Sequence, residues 1–296
     1  MIKRTLHFSN PAHLSTRNQQ LVVELKDENR TIKTIPIEDL GVVILEHPQI
    51  TLTSNLLEQM LENKVAVITC NSKYMPSGMF LPFESNTEQT ERIRVQLDAS
   101  VPLKKQLWQQ TIKQKIGNQS NLLEKLGVNS LRLKNLKNDV LSGDTTNCEG
   151  QAASHYWGQI YGGYFLRSRD PQSPNAQLNY GYAILRSVVA RALTASGMLP
   201  SSGIFHRNKY NAFCLADDIM EPYRPFVDWV VLQLPELGTE EGLTKIQKIE
   251  LLKLPQLDVE INGVKRPLFH AVSTTTASLY KCFAGEQRKI IYPDFY

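Results

Sequence analysis

Over the first 84 residues the apolar positions come in short runs rich in Val, Ile, Leu and Thr, at 4–8, 20–26, 31–37 and 41–45. The turn-prone stretches NPAH, DENR and IEDL separate these runs, so each predicts a strand. LVVEL and VVILE mix alternation with continuous apolar stretches, the pattern of a half-buried sheet. Thr53 or Ser54 is placed to cap a short helix over NLLEQMLEN, whose Leu56, Leu57, Met60 and Leu61 fall on one side. VAVITC predicts a further strand, and SGMFLPF ends the module.

From Ser85 the period changes to that of helices. TEQTERIRVQLDAS starts one, and Pro102 opens a second that runs to Gly127. Thr145, Thr146 and Asn147 form an N-cap cluster, which puts Glu149 in a first helical turn. NYGYAILRSVVARALTASG carries an apolar face of Ile184, Leu185, Val188, Val189 and Leu193 and stops at Gly197. LPSSGIFH reads as a loop. A helix over about 210–234 follows, with a kink or break at Pro222 and Pro225. LDVEINGVKRPL predicts a hairpin turning on Asn262-Gly263, and TTTASLYKCFAGE a last helix ending near Gly285. The fold class is therefore α+β: a β-rich domain over 1–84, then a mostly α-helical domain over 85–296.

The 296 residues are 42% hydrophobic and 21% charged, enough apolar material for a substantial core. The longest apolar runs, such as 65–69 and 229–232, fall far short of the roughly 20 residues of a membrane span. MIKRTLHFSNP lacks the apolar stretch of a signal peptide, so a cytoplasmic location without membrane contact is expected. Cys70, Cys148, Cys214 and Cys282 show no C-x-x-C spacing, which argues against structural zinc and for reduced, buried thiols. Charge sharpens the division of the chain. Residues 85–140 hold ten Lys and Arg against five Asp and Glu, while the flanking regions are near balance. A basic stripe of this kind binds a polyanion in a salt-dependent way; a solvated helix face is the competing reading.

Candidate chemistry concentrates in residues 203–225, GIFHRNKYNAFCLADDIMEPYRP. Asp218 and Glu221 are three apart and share a helix face, whereas Asp217 points elsewhere. His206 precedes them in a loop, and Glu149 comes from a distant helix. One His with two or three carboxylates suits Mg²⁺ or Mn²⁺ better than zinc. Arg207, Lys209 and Arg224 suit a phosphate. Each feature also has an ordinary reading: a solvated Asp/Glu face, a structural His, or a Glu that complements its helix N-terminus. No serine-hydrolase elbow, Walker loop, dinucleotide fingerprint or zinc-protease helix is present. Gly162, Gly163 and Gly181 read as aids to a turn or to close packing.

RTLHFSNPAHLSTRNQQLVV, IPIEDLGVVILEHPQITLTSNLLEQMLENKVAVITCN and, above all, GIFHRNKYNAFCLADDIMEPYRP resemble the Cas1 family of CRISPR-associated integrases across essentially the whole chain. The short N-terminal domain and total length are most similar to type II members. The resemblance implies metal ligation by Glu149, His206 and Glu221. Asp218 would line the same catalytic site, binding metal or orienting a ligand. Tyr223 stands where Phe is frequent, a change expected to affect packing alone. The implied activity is that of an endonuclease and integrase using Mg²⁺ or Mn²⁺: a prespacer 3′-hydroxyl attacks a phosphodiester at the repeat boundary. The implied partners are double-stranded prespacer and repeat DNA, a second copy of the chain through the N-terminal domain, and a small second Cas protein in a heterohexamer. A type II accessory protein and the effector nuclease complete that set. Arg92, Arg94, Lys104, Lys105, Lys113 and Lys115 are expected along the DNA backbone, with Arg207 near the reacting phosphate. A stand-alone metal-dependent nuclease and a non-catalytic DNA-binding scaffold are the alternatives.

Overall fold

A computed structural model of the chain describes residues 3–26, 31–72, 74–82, 86–168, 174–235 and 243–296. Two compact units divide it, Met1–Thr87 and Glu88–Tyr296. In the first, the described residues form β1 (Arg4–Phe8), β2 (Ala12–Arg17), β3 (Gln20–Leu25), β4 (Ile32–Pro36), β5 (Leu40–Leu45), β6 (Thr51–Leu52), α1 (Ser54–Glu62), β7 (Ala66–Cys70) and β8 (Pro76–Phe80). One sheet has the order β1-β5-β7-β8, parallel except for β8. The other runs β4-β3-β2-β6 and is antiparallel apart from the short β2/β6 pair. LGVVIL of β5 is buried at every position, which is why it reads as a continuous apolar run: a central parallel strand is covered on both faces. Its Val43 packs with Leu14, Leu21, Leu56 and Met60 in the core of this unit.

Local chemistry accounts for the differences from the sequence pattern. NPAH is not a turn throughout, because β2 begins at Ala12 and carries the polar AHLSTR. Only Ala12 and Leu14 point fully inward there, too few to register as alternation. IEDL is a 3-10 turn at Ile37–Asp39 that runs directly into β5. DENR lies outside the described residues. Thr53, not Ser54, caps α1, its Oγ accepting from the Leu56 amide.

The second unit contains α2 (Gln89–Asp98), α3 (Val101–Lys125), α4 (Leu131–Asp139), α5 (Cys148–Tyr161), α6 (Asn175–Ala195), α7 (Cys214–Met220), α8 (Arg224–Leu232), α9 (Lys245–Leu252), β9 (Asp258–Ile261), β10 (Val264–Pro267) and α10 (Leu268–Phe283). Helix α6 packs against α7, α8, α9 and α10, so its apolar surface extends well beyond one stripe. A Cβ on Gly181 would lie 2.4 Å from Val227 Cγ1, so α8 presses directly on α6 there. Helix α3 packs against α4, α5 and α8, with Ser100 capping its N-terminus. Asn262 and Gly263 both take positive φ at the β9/β10 turn, as a two-residue type I′ hairpin requires.

The helix expected over 210–234 starts only at Cys214, breaks in a 3-10 turn at Glu221–Tyr223, and resumes at Arg224. Pro222 and Pro225 lack amide donors, which makes the junction of two helices here less costly than a continuous one. Helices α4 and α9 have no counterpart in the sequence pattern. Helix α4 buries only Leu133, while α9 is set by the capping box of Thr244 and Gln247. Tyr223 does more than pack: its hydroxyl lies 2.6 Å from Thr275 Oγ1 in the interior. Cys148, Cys214 and Cys282 are buried, unbridged thiols, and Cys70 is half-buried. No described helix is long and apolar enough to cross a membrane.

Candidate active site

The loop ahead of α7 is organised by one carboxylate. Asp218 is fully buried; its Oδ2 accepts from the amides of Ile204 (2.7 Å) and Phe205 (3.0 Å), and its Oδ1 from that of His206 (3.2 Å). The His206 ring completes the set, with Nδ1 2.6 Å from Oδ1. The Asp218 oxygens accept from three amide N–H groups, so Nδ1 carries the proton shared with Oδ1, and in the neutral ring Nε2 keeps its lone pair. The bond to Asp218 raises the His206 pKa above its ordinary value, against the opposing effect of burial. Gly203 is required by the close approach: a Cβ there would meet His206 O at 2.4 Å and Asp218 Oδ2 at 2.7 Å. Trp108 of α3 stacks on Phe205 at 4.2 Å and meets the His206 ring edge-on at 5.8 Å. The neighbouring Asp217 turns away to a two-point pairing with Arg186, at 2.6 and 3.0 Å, and accepts from Asn211 Nδ2.

Two more carboxylates meet across a lysine. Asn147 caps α5 by accepting from the Gly150 amide, and Asp144 accepts from the amides of Cys148 and Glu149. This places Glu149 in the first turn. The helix break places Glu221 opposite. Lys115 Nζ, from the middle of α3, lies 2.6 Å from Glu149 Oε1 and 2.6 Å from Glu221 Oε2. Arg224 approaches the other oxygen, Glu221 Oε1, at 2.9 Å. Burial pushes the Glu221 carboxyl up, but Arg224 and Lys115 outweigh it and hold its pKa below the usual range. Burial likewise works against the Lys115 charge, and Glu221 and Glu149 overcome it.

Glu149, His206 and Glu221 thus line one cleft of about 640 Å³ together with Lys115 and Arg224. Its lining also includes a buried acid that the sequence pattern does not single out. Asp228 accepts from Tyr182 at 2.5 Å and Tyr156 at 2.8 Å, and burial raises its pKa to about 6. The Tyr182 ring lies 4.7 Å from the Arg224 guanidinium and 5.0 Å from that of Arg167. His206 also borders a second cleft of about 430 Å³, whose rim includes Lys104, Arg207 and Lys209.

The basic residues named from charge alone divide. Arg94, Lys105 and Arg207 are exposed, and Lys104 and Lys113 half-buried. Lys115 does not lie on a solvated face: it is 6% exposed and committed to two carboxylates. Arg92 is turned inward as well, pairing with Glu88, donating to Ser196 O and stacking 4.2 Å from the Tyr280 ring centroid. A charge count cannot separate a lysine that meets solvent from one that neutralises a buried acid.

Among the described residues no three His, Cys, Asp or Glu side chains stand close enough to form a ready metal site. The donors nevertheless fit a cation, because Glu149 and Glu221 already converge on one, the Lys115 ammonium. Oxygen donors with one imidazole suit Mg²⁺ or Mn²⁺.

The sequence profile of the family described as CRISPR associated protein Cas1 matches residues 6–241. The chain belongs to the Cas1 family. The CRISPR-associated endonuclease Cas1 of Neisseria meningitidis serogroup C is 39% identical over 264 residues, which are 88% of this chain and 86% of that protein. The fold matches a casposase bound to integration product with a TM-score of 0.80 at 18% identity, covering 100% of this chain and 93% of the casposase chain. It also matches a chain of a Cas6-RT-Cas1–Cas2 complex with a TM-score of 0.73 at 20% identity, over 97% of this chain and 36% of that longer one. The α+β architecture is that of solved Cas1 proteins.

Proposed function

We propose that this Cas1-family protein is a metal-dependent DNA endonuclease and integrase of CRISPR adaptation. The observation that carries the reading is the single cleft lined by Glu149, His206 and Glu221, with the His206 ring held from behind by Asp218. A relative 39% identical is named a CRISPR-associated endonuclease, and a casposase bound to integration product has the same fold. Mg²⁺ or Mn²⁺ would be held by Glu149, Glu221 and His206 Nε2, and supplies charge that polarises a phosphodiester and lowers the pKa of an attacking hydroxyl.

The chain's own groups do the positioning. Asp218 fixes the tautomer and direction of His206. Arg224 restrains Glu221, and Lys104, Arg207 and Lys209 of the adjoining cleft offer cations to DNA phosphates. In strand transfer the prespacer 3′-oxygen bonds to phosphorus while the bond from that phosphorus to the target strand's 3′-oxygen, on the nucleotide flanking the repeat, breaks. The attacking hydroxyl gives up its proton, and the leaving oxygen takes one up. One phosphodiester replaces another, so the exchange needs no nucleotide energy source. Water in place of the 3′-hydroxyl gives hydrolysis. A homodimer through the N-terminal unit, a small second Cas protein in a heterohexamer, type II accessory factors and a cytoplasmic location complete the proposal; a solved Cas6-RT-Cas1–Cas2 complex holds a chain of this fold.

The test is strand transfer on a branched half-site substrate with Mn²⁺ and the second Cas protein. Glu149→Ala, His206→Ala and Glu221→Ala should each abolish formation and reversal of the junction with circular dichroism unchanged. Cleavage without any junction chemistry would instead identify a stand-alone nuclease. Normal integration by His206→Ala would remove that residue from the ligand set.

A further inference from the structure

A metal centre needs acids and an imidazole; it does not need a buried ammonium between the acids. Lys115 Nζ nevertheless sits 2.6 Å from both Glu149 Oε1 and Glu221 Oε2, from a side chain only 8% exposed. With Arg224 on the other Glu221 oxygen, the four groups sum to zero charge. A dication entering this set as it stands would leave two uncompensated positive charges beside a buried Lys115 and Glu221, an arrangement that desolvation disfavours. A DNA phosphate brings the missing negative charge, and it is also an acceptor toward which an extended ammonium can turn. Helix α3 gives Lys115 that latitude, since four methylenes separate Nζ from a rigid backbone inside a 25-residue helix.

We propose that Lys115 is a built-in counter-cation of the metal site, holding Glu149 and Glu221 together in the free protein and releasing them to the divalent ion when DNA phosphate arrives. Metal and DNA then bind cooperatively, each tightening the other by the same factor. The free protein keeps its acids pre-assembled but weak for metal, which restrains cleavage chemistry until a substrate is seated. This rests on the metal-dependent reading above.

The experiment measures Mn²⁺ affinity by titration calorimetry and by loss of the free-ion electron paramagnetic resonance signal, with and without a DNA duplex. In the unmodified protein DNA should tighten Mn²⁺ binding tenfold or more. Lys115→Met, which removes the charge, and Lys115→Gln, which keeps a donor without charge, should bind Mn²⁺ at least tenfold more tightly without DNA and lose most of the gain from it. Lys115→Arg, which keeps the charge, should stay near the unmodified protein. Melting curves establish that the variants are folded, and the DNA effect on the unmodified protein needs no variant. Equal Mn²⁺ affinity with and without DNA in that protein, or unchanged affinity in folded Lys115→Gln, overturns the role of Lys115 and leaves the metal centre intact. No Mn²⁺ binding under any condition overturns both.

Discussion

Asp218 and Gly203 control His206 without needing to touch a substrate. Both oxygens of Asp218 accept from N–H groups only, so Asp218→Asn must turn an NH₂ group toward donors. The expected cost is about 2 kcal/mol of stability in denaturant unfolding, together with a loss of Mn²⁺ affinity that exceeds the loss of DNA affinity. Gly203→Ala forces its Cβ against His206 O and Asp218 Oδ2. It should destabilise by about 1–3 kcal/mol and disorder the His206 imidazole, read from its ring proton resonances. The family resemblance implies the ligand set Glu149, His206 and Glu221, and residue type alone makes Glu149, His206, Asp218 and Glu221 legible as candidate donors. The division of labour between His206 and Asp218 is not, because spacing cannot say which of two acids meets three converging amides. Lys115 was legible only as a positive charge; its partner carboxylates lie 34 and 106 positions away in the chain.

At the scale of elements, the decisive feature is the break between α7 and α8 that turns Glu221 into the cleft. Asn118, three residues after Lys115 on α3, donates to Pro222 O at 2.7 Å and to Pro293 O at 3.1 Å, and accepts from the Phe295 amide. One helix therefore supplies both the cation facing Glu221 and the amide that holds the turn behind it. Asn118→Ala should cost about 1–3 kcal/mol by leaving buried backbone groups unpaired, and should weaken Mn²⁺ binding although Asn118 does not line the cleft. Asp228 adds a pH signature. Its folded pKa of about 6 exceeds the value of about 3.9 expected of an unfolded chain. Below pH about 4 both states are protonated and the contribution is fully present. As pH rises toward 6 the unfolded chain ionises first, so stability falls over that window, by about 3 kcal/mol in all, and is level beyond it. Asp228→Asn should abolish this decline in denaturant midpoints measured from pH 4 to 7. The Pro222 and Pro225 break was readable because proline removes backbone donors. Helix α4 was not, since packing on α3 and α5 secures a segment with one buried apolar residue.

For the molecule as a whole, the positive excess of residues 85–140 gives a measurable expectation. Lys104→Glu combined with Lys105→Glu should weaken duplex binding, and the slope of log K against log salt should flatten by about 0.9 for each DNA phosphate that is no longer neutralised. Affinity and slope unchanged in filter binding would make these lysines a solvated face only. Arg92, counted in the same stretch, should matter for folding instead, through Glu88, Ser196 and Tyr280. By itself the sequence determined the change from β-rich to helical character near residue 85, the strands and helices with strong periodicity, and several of the caps and turns, such as Asn147 and Asn262-Gly263. Those follow from local rules of backbone sterics and hydrophobic period. Only the tertiary structure decided that Asp218 orients rather than faces the cleft, that Asp228 is a buried acid between two tyrosines, and that Lys115 joins the acids instead of meeting solvent. Each depends on burial and on partners remote in the chain, and the energy of a charge is set by what surrounds it.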